Sequence, residues 1–165
     1  MTPEQDNLYE NATKKLLKTI DRMGLQRIDS IRAKNLTLLF RDAFKMPDVK
    51  YKTLGEKADF FQYDSDGFCR ASSISFNTLI SNSDDWKLIY IDDLWTFGPH
   101  HYLLHMPSKT VFDLTYDQYE YIGITEIPYF LGQQIPTIFA PDDLPDKFIK
   151  SININVAKLS KNQKE

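Results

Sequence analysis

The chain has 165 residues, a net charge of −3 and many aromatics, among them eleven Phe and nine Tyr. That length suits one domain around a single core, and the composition is globular rather than disordered. The acidic balance argues against a nucleic-acid-binding surface as the main activity, a single cysteine excludes an internal disulfide and a Cys-rich zinc site, and no apolar run is long enough to span a bilayer. The N-terminal stretch is too polar for a secretory leader, so the sequence points to a cytoplasmic protein.

Thr2-Pro3-Glu4-Gln5 marks a helix start, with Thr2 as cap, Pro3 at the first helical position and Gln5 completing a capping box. Leu8, Ala12, Leu16, Ile20 and Met23 then recur at helical spacing up to Gly24. A second helix is predicted from about 29 to 44, ending before Pro47. These N-terminal helices, within 1–46, form a hairpin suited to cover one side of a sheet. The stretch 48–66 reads as turn-rich loop and ends in the Asp64-Ser65-Asp66-Gly67 cluster. A helix begins at Cys69, carries Ile74, Phe76, Leu79 and Ile80, and stops at the polar run 81–85.

The period then changes, and three strands are predicted: 86–91, 101–106 and 110–114, the last two joined by a Pro107-Ser108-Lys109 turn. Asp117-Gln118-Tyr119 follows as loop or short helix. The segment 120–159 is a proline-rich elaboration, with an edge strand expected at 136–139 and 144–159 open between helix and strand. The tail, 160–165, reads as frayed. With no repeat and no linker, the fold class is α+β in a single domain, 1–165, with its core at 67–119.

Cys69 stands where a loop turns into a helix. Backbone N–H groups and the helix dipole there favour a thiolate, and the same N–H groups supply half of an oxyanion hole. The structural alternative is that Cys69, beside Ala71 and Ser72, is a small core residue. A cysteine nucleophile needs a base and a group that orients the base. Asp113 is the candidate orienting residue, and His100, His101 and His105 are the available imidazoles.

Strand alternation sets His101, Leu103 and His105 on one face and His100, Tyr102 and Leu104 on the other. A three-residue turn pairs Met106 with Thr110, puts Leu103 opposite Asp113 and selects His101. A two-residue turn flips the face and selects His100. The favoured set is Cys69, His101 and Asp113. His101 and His105 lie about 13 Å apart on an extended strand, too far to share one ion. No metal and no cofactor is expected.

His101-Tyr102 followed by Val111-Phe112-Asp113-Leu114-Thr115-Tyr116-Asp117-Gln118-Tyr119 resembles the "H-Y-x … I-D-L-T-x-D-Q-F" pattern. That pattern belongs to the YunG-like bacterial proteins and related transglutaminase-like proteins. Cys on a helix, then His and Asp on successive strands, is also the order of papain-like enzymes. The resemblance covers 67–119, about a third of the chain. It implies a papain-like/transglutaminase-like core, with a nucleophile helix packed on an antiparallel sheet. It assigns Cys69 as nucleophile, His101 as base and Asp113 as orienting residue.

Gln62 lies near where papain-like enzymes keep an oxyanion glutamine, one position out of register. Trp95 and Phe97 line a cleft or belong to the core, Arg70 is a candidate for an acidic substrate group, and Asp117 and Gln118 fix the turn after the strand through backbone bonds. The expected activity is acyl transfer to water or an amine from a peptide, isopeptide or glutamine amide, with a protein or peptide substrate and no cofactor. The alternative is a non-catalytic binding or inhibitor protein, such as a phage-encoded effector, on the same fold. Substrate and oligomeric state are not legible in the sequence.

Overall fold

The computed structural model describes residues 2–61, 63–94, 98–134 and 143–152. Two long helices open the chain, α1 (Pro3–Asp21) and α2 (Arg27–Phe44). The capping box at Thr2 and Gln5 forms as the sequence requires. A short helix, α3 (Pro47–Leu54), follows, then a 3-10 turn over Gly55–Phe60. The sequence reading took this stretch for loop. Pro47 ends one helix by its missing donor but also starts the next at a first-turn position, and only Val49 and Thr53 of α3 are buried, too few to show a period.

Next come α4 (Cys69–Leu79) and the strands β1 (Trp86–Ile91), β2 (His100–His105) and β3 (Thr110–Phe112). Then follow a short helix α5 (Asp117–Glu120), a brief strand β4 (Gln133–Gln134) and α6 (Leu144–Ser151). The sheet is antiparallel in the order β3-β2-β1-β4. The architecture is therefore α+β. The edge strand expected at 136–139, the span 153–159 and the tail lie outside the described residues, and 144–151 is helical.

The two faces of the sheet carry different cores. On one, Trp86, Leu103 and Phe112 join Phe40, Phe44, Phe76 and Phe148 from α2, α4 and α6. On the other, Ile89, Ile91 and Tyr102 pack with Tyr119 and with Ile124, Ile127 and Tyr129 from the segment after α5. The helices thus cover one face and an irregular segment the other.

One correction decides the site. The turn between β2 and β3 has four residues, Met106 to Lys109, because His105 pairs with Thr110 and Leu103 with Phe112. Met106, 45% exposed, belongs to the turn, and its N–H bonds the Asp85 carbonyl. Lys109 adopts a left-handed φ of 55°, and Ser108 Oγ bonds both His105 Nδ1 at 2.7 Å and Thr110 Oγ1 at 2.8 Å. An even-numbered turn continues the alternation so that Asp113 falls opposite Tyr102 and on the face of His100, not of His101.

Candidate active site

The position of Cys69 is set by the loop before it. Gly67 has φ +86°, and a Cβ there would come within 2.8 Å of the Phe61 ring, so only glycine fits. Lys50 reaches in from α3, and its Nζ donates to the Phe61 carbonyl at 3.2 Å and the Tyr63 carbonyl at 2.5 Å. The Tyr63 ring stacks on Tyr121 with centroids 4.3 Å apart, joining this loop to the segment after α5. The chain then enters α4, whose first residue is Cys69 and whose start has no side-chain cap. No capping oxygen competes there for the leading N–H groups, which favour an anion.

His100 is fully buried, and its Nε2 lies 2.6 Å from Asp113 Oδ2. The two groups sit diagonally across β2 and β3 on one face of the sheet. Asp113 also accepts from the Tyr129 hydroxyl at 2.8 Å and from the Thr115 N–H at 3.2 Å. With three donors on its carboxylate, Asp113 is held in one orientation. The Tyr119 ring meets His100 edge-on at 5.0 Å, and the Tyr102 hydroxyl donates to the Tyr129 carbonyl at 2.9 Å, so aromatics enclose the pair.

With Nε2 committed to Asp113, the second nitrogen of His100, Nδ1, is buried with no hydrogen-bond partner. The group within its reach is the Cys69 thiol, which also interacts with His101. Alternation sends the two histidines to opposite faces, but His100 is the first residue of β2. Cys69, at the N-terminus of α4, thus feels the imidazoles of two residues at the start of β2. The carboxylate bonds His100, where a three-residue turn would have selected His101. Asp113 fixes the His100 ring, while His101 has no bond to that carboxylate and acts on the thiol through charge and polarity.

Burial alone pushes a thiol up. Hydrogen bonds and charge from His100 and His101 outweigh it and bring Cys69 down to about 6. Burial opposes charge on His100, but the Asp113 carboxylate and then Cys69 raise it to about 10. Both shifts favour a thiolate–imidazolium pair at neutral pH. Asp66, three residues before Cys69, is pushed up to about 6 by burial, against the pull of Lys50 and with the Cys69 charge adding to the rise.

The sequence reading did not single out Asp66 or Tyr129. Asp66 carried the signal of a carboxyl in the turn leading to the nucleophile; Tyr129 is brought in by long-range packing. Gln62, Trp95 and Phe97 lie outside the described residues. Asp117 does not bond backbone as expected, because its carboxylate takes the Arg41 guanidinium in two bonds of 2.8 and 3.0 Å. Gln118 bonds the Thr115 hydroxyl at 3.0 Å.

No family model, curated protein or solved structure matches this chain. Among the described residues no group of three or more His, Cys, Asp or Glu is arranged to hold a metal ion, and no helix is long and apolar enough to cross a membrane. The site offers a Cys69 thiol brought down to about 6, the imidazoles that lower it, and a carboxylate fixing one of them.

Proposed function

We propose that the protein is a cysteine-dependent acyl-transfer enzyme, with Cys69 as nucleophile, His100 as acid and base, and Asp113 as orienting residue. The single observation that carries this reading is the buried 2.6 Å bond from His100 to Asp113, set on the imidazole that lowers the thiol at the start of α4. The Cys69 thiolate adds to a carbonyl carbon, and the carbonyl electron pair moves onto oxygen. Collapse of that intermediate expels the leaving amine, which takes the proton from His100. The thioester is then attacked by water or a second amine, whose proton passes to His100 as the thiolate leaves.

The same reading takes the helix, sheet and residue order as a papain-like/transglutaminase-like core, in keeping with the resemblance over 67–119. Peptide, isopeptide or glutamine amide bonds are the substrate class, and the chemistry requires no cofactor. Mixing the protein with p-nitrophenyl acetate tests the reading. A burst of p-nitrophenol and a mass gain of one acetyl group on Cys69 are expected, with both lost in Cys69→Ala and the burst rate reduced by about 10²–10⁴-fold in His100→Ala. A burst unchanged in Cys69→Ala, or no burst at all, would overturn it.

A further inference from the structure

The triad uses one of the two imidazoles that meet Cys69. His101 is left over, yet it is only 9% exposed, and its Nδ1 is buried with no hydrogen-bond partner. An unpaired buried nitrogen costs stability unless some state of the protein gives it a partner. Three contacts hold it in place. The His101 ring stacks on Tyr90 with centroids 6.1 Å apart and planes 24° apart. Its backbone carbonyl accepts from the Ser73 hydroxyl at 3.4 Å, and Ser73 lies one helical turn beyond Cys69 on the same side of α4. Cross-strand pairing with Tyr90 fixes the register.

His101 is therefore clamped between α4 and β1, one helical turn from Cys69 and on the sheet face opposite Asp113, and its imidazole acts on the thiol. Acyl transfer leaves a need at that side. When the thiolate adds to a carbonyl, negative charge develops on an oxygen that is bonded to the carbon attached to sulfur. The start of α4 offers backbone N–H groups, but a second donor is normally aimed at the same oxygen.

We propose that His101 is that donor, its imidazole N–H accepting no role in proton transfer and instead stabilising the oxyanion formed at Cys69. The inference rests on the acyl-transfer reading and adds a catalytic residue to it. It gives a role to the second of two adjacent histidines, which point to opposite faces of a strand yet both act on Cys69.

Two reagents separate the roles. Iodoacetamide alkylates a thiolate by displacement at a saturated carbon, where no oxyanion forms; p-nitrophenyl acetate acylates it through one. Both rates are measured at about pH 9, where a thiol lowered to about 6 is fully ionised. In His101→Ala the acylation rate is expected to fall by about 10²–10³-fold, the range for losing one oxyanion donor, with alkylation within about two-fold of wild type. His101→Gln, which retains an N–H donor, is expected to recover most of the loss.

If His101→Ala does not fold, His101→Phe keeps the ring stack on Tyr90, lacks the donor and carries the same expectation. Acylation at the wild-type rate in the donorless variant, or equal losses in both reactions, would overturn the role of His101. A wild-type protein that alkylates normally but is never acylated would overturn the acyl-transfer reading and this inference with it.

Discussion

At the residue scale, the Cys69–His100 pair makes a specific statement about pH. His100 is raised to about 10, so alone it stabilises the fold fully below its unfolded value of about 6.5 and loses that contribution as pH rises through 10. Cys69 is lowered to about 6, so its contribution is full above its unfolded value of about 8.5 and is lost as pH falls through 6. Between about pH 6.5 and 8.5 the folded pair and the unfolded pair bind the same number of protons, and the two slopes cancel. Removing the thiol leaves His100 still raised by Asp113. Cys69→Ala is therefore expected to lose stability with rising pH over that range, by up to roughly 1.4 kcal/mol per pH unit, where the pair in the wild type contributes no slope. Urea denaturation of both proteins at pH 6.5, 7.5 and 8.5 measures this difference; parallel dependences would contradict the ion pair.

At the element scale, the site depends on turn length and on a close approach of backbone to side chain. The sequence places Cys69 at the start of α4, which holds, and Asp113 within a strand over 110–114, whereas β3 ends at Phe112 and Asp113 is the residue after it. It did not disclose the partner histidine, because Met106 is apolar and reads as strand, whereas its exposure and its bond to Asp85 place it in the turn. A single residue of turn length exchanges the faces of β2, and local propensity does not resolve one residue. Tyr129 was illegible for another reason, since it arrives from a loop whose course depends on packing. That course passes through Gly132, where a Cβ would lie 1.9 Å from the Tyr102 hydroxyl and 2.6 Å from Ile89 Cγ2. Gly132→Ala is expected to lower stability by about 1–3 kcal/mol through overpacking. It should also raise the pH midpoint of Cys69 alkylation, because displacing Tyr102 disturbs Tyr129 and hence Asp113. Denaturant titration and alkylation of the same variant measure the two effects; an unchanged midpoint would separate the loop from the site.

At the scale of the whole molecule, one buried ion pair connects the N-terminal helices to the site. Arg41 on α2 is 1% exposed and grips Asp117 in a two-bond fork, the Leu114 carbonyl at 3.1 Å, the Tyr9 carbonyl at 3.0 Å and Thr13 Oγ1 at 2.9 Å. The Tyr9 ring lies 3.9 Å beneath its guanidinium, and the Tyr121 hydroxyl donates to Asp117 at 3.1 Å. The segment just after Asp113 is thus bolted to α1 and α2, which gives the hairpin a part in holding the site. The sequence displayed both Arg41 and Asp117 but not their contact, 76 residues apart. Arg41→Met strands a buried carboxylate and is expected to cost about 3–5 kcal/mol, whereas Arg41→Met with Asp117→Leu should cost less than the single change. Denaturant titration of the three proteins measures this; a double variant weaker than Arg41→Met would show that the pair is not the connection.

A Cys69 thiolate held by His100 would show in the pH dependence of its alkylation. A lower pKa also weakens a thiolate as a nucleophile, so rate at neutral pH discriminates poorly. At pH 6, by contrast, half of Cys69 would be ionised against about 0.3% of an ordinary cysteine, leaving a net advantage of about ten-fold after the loss of nucleophilicity. Iodoacetamide rates from pH 4.5 to 10 should give a midpoint near 6 for the wild type, moving above 8 in His100→Ala as burial regains control of the thiol. A wild-type midpoint at 8.5 or higher, or a midpoint near 6 that survives loss of His100, would contradict it.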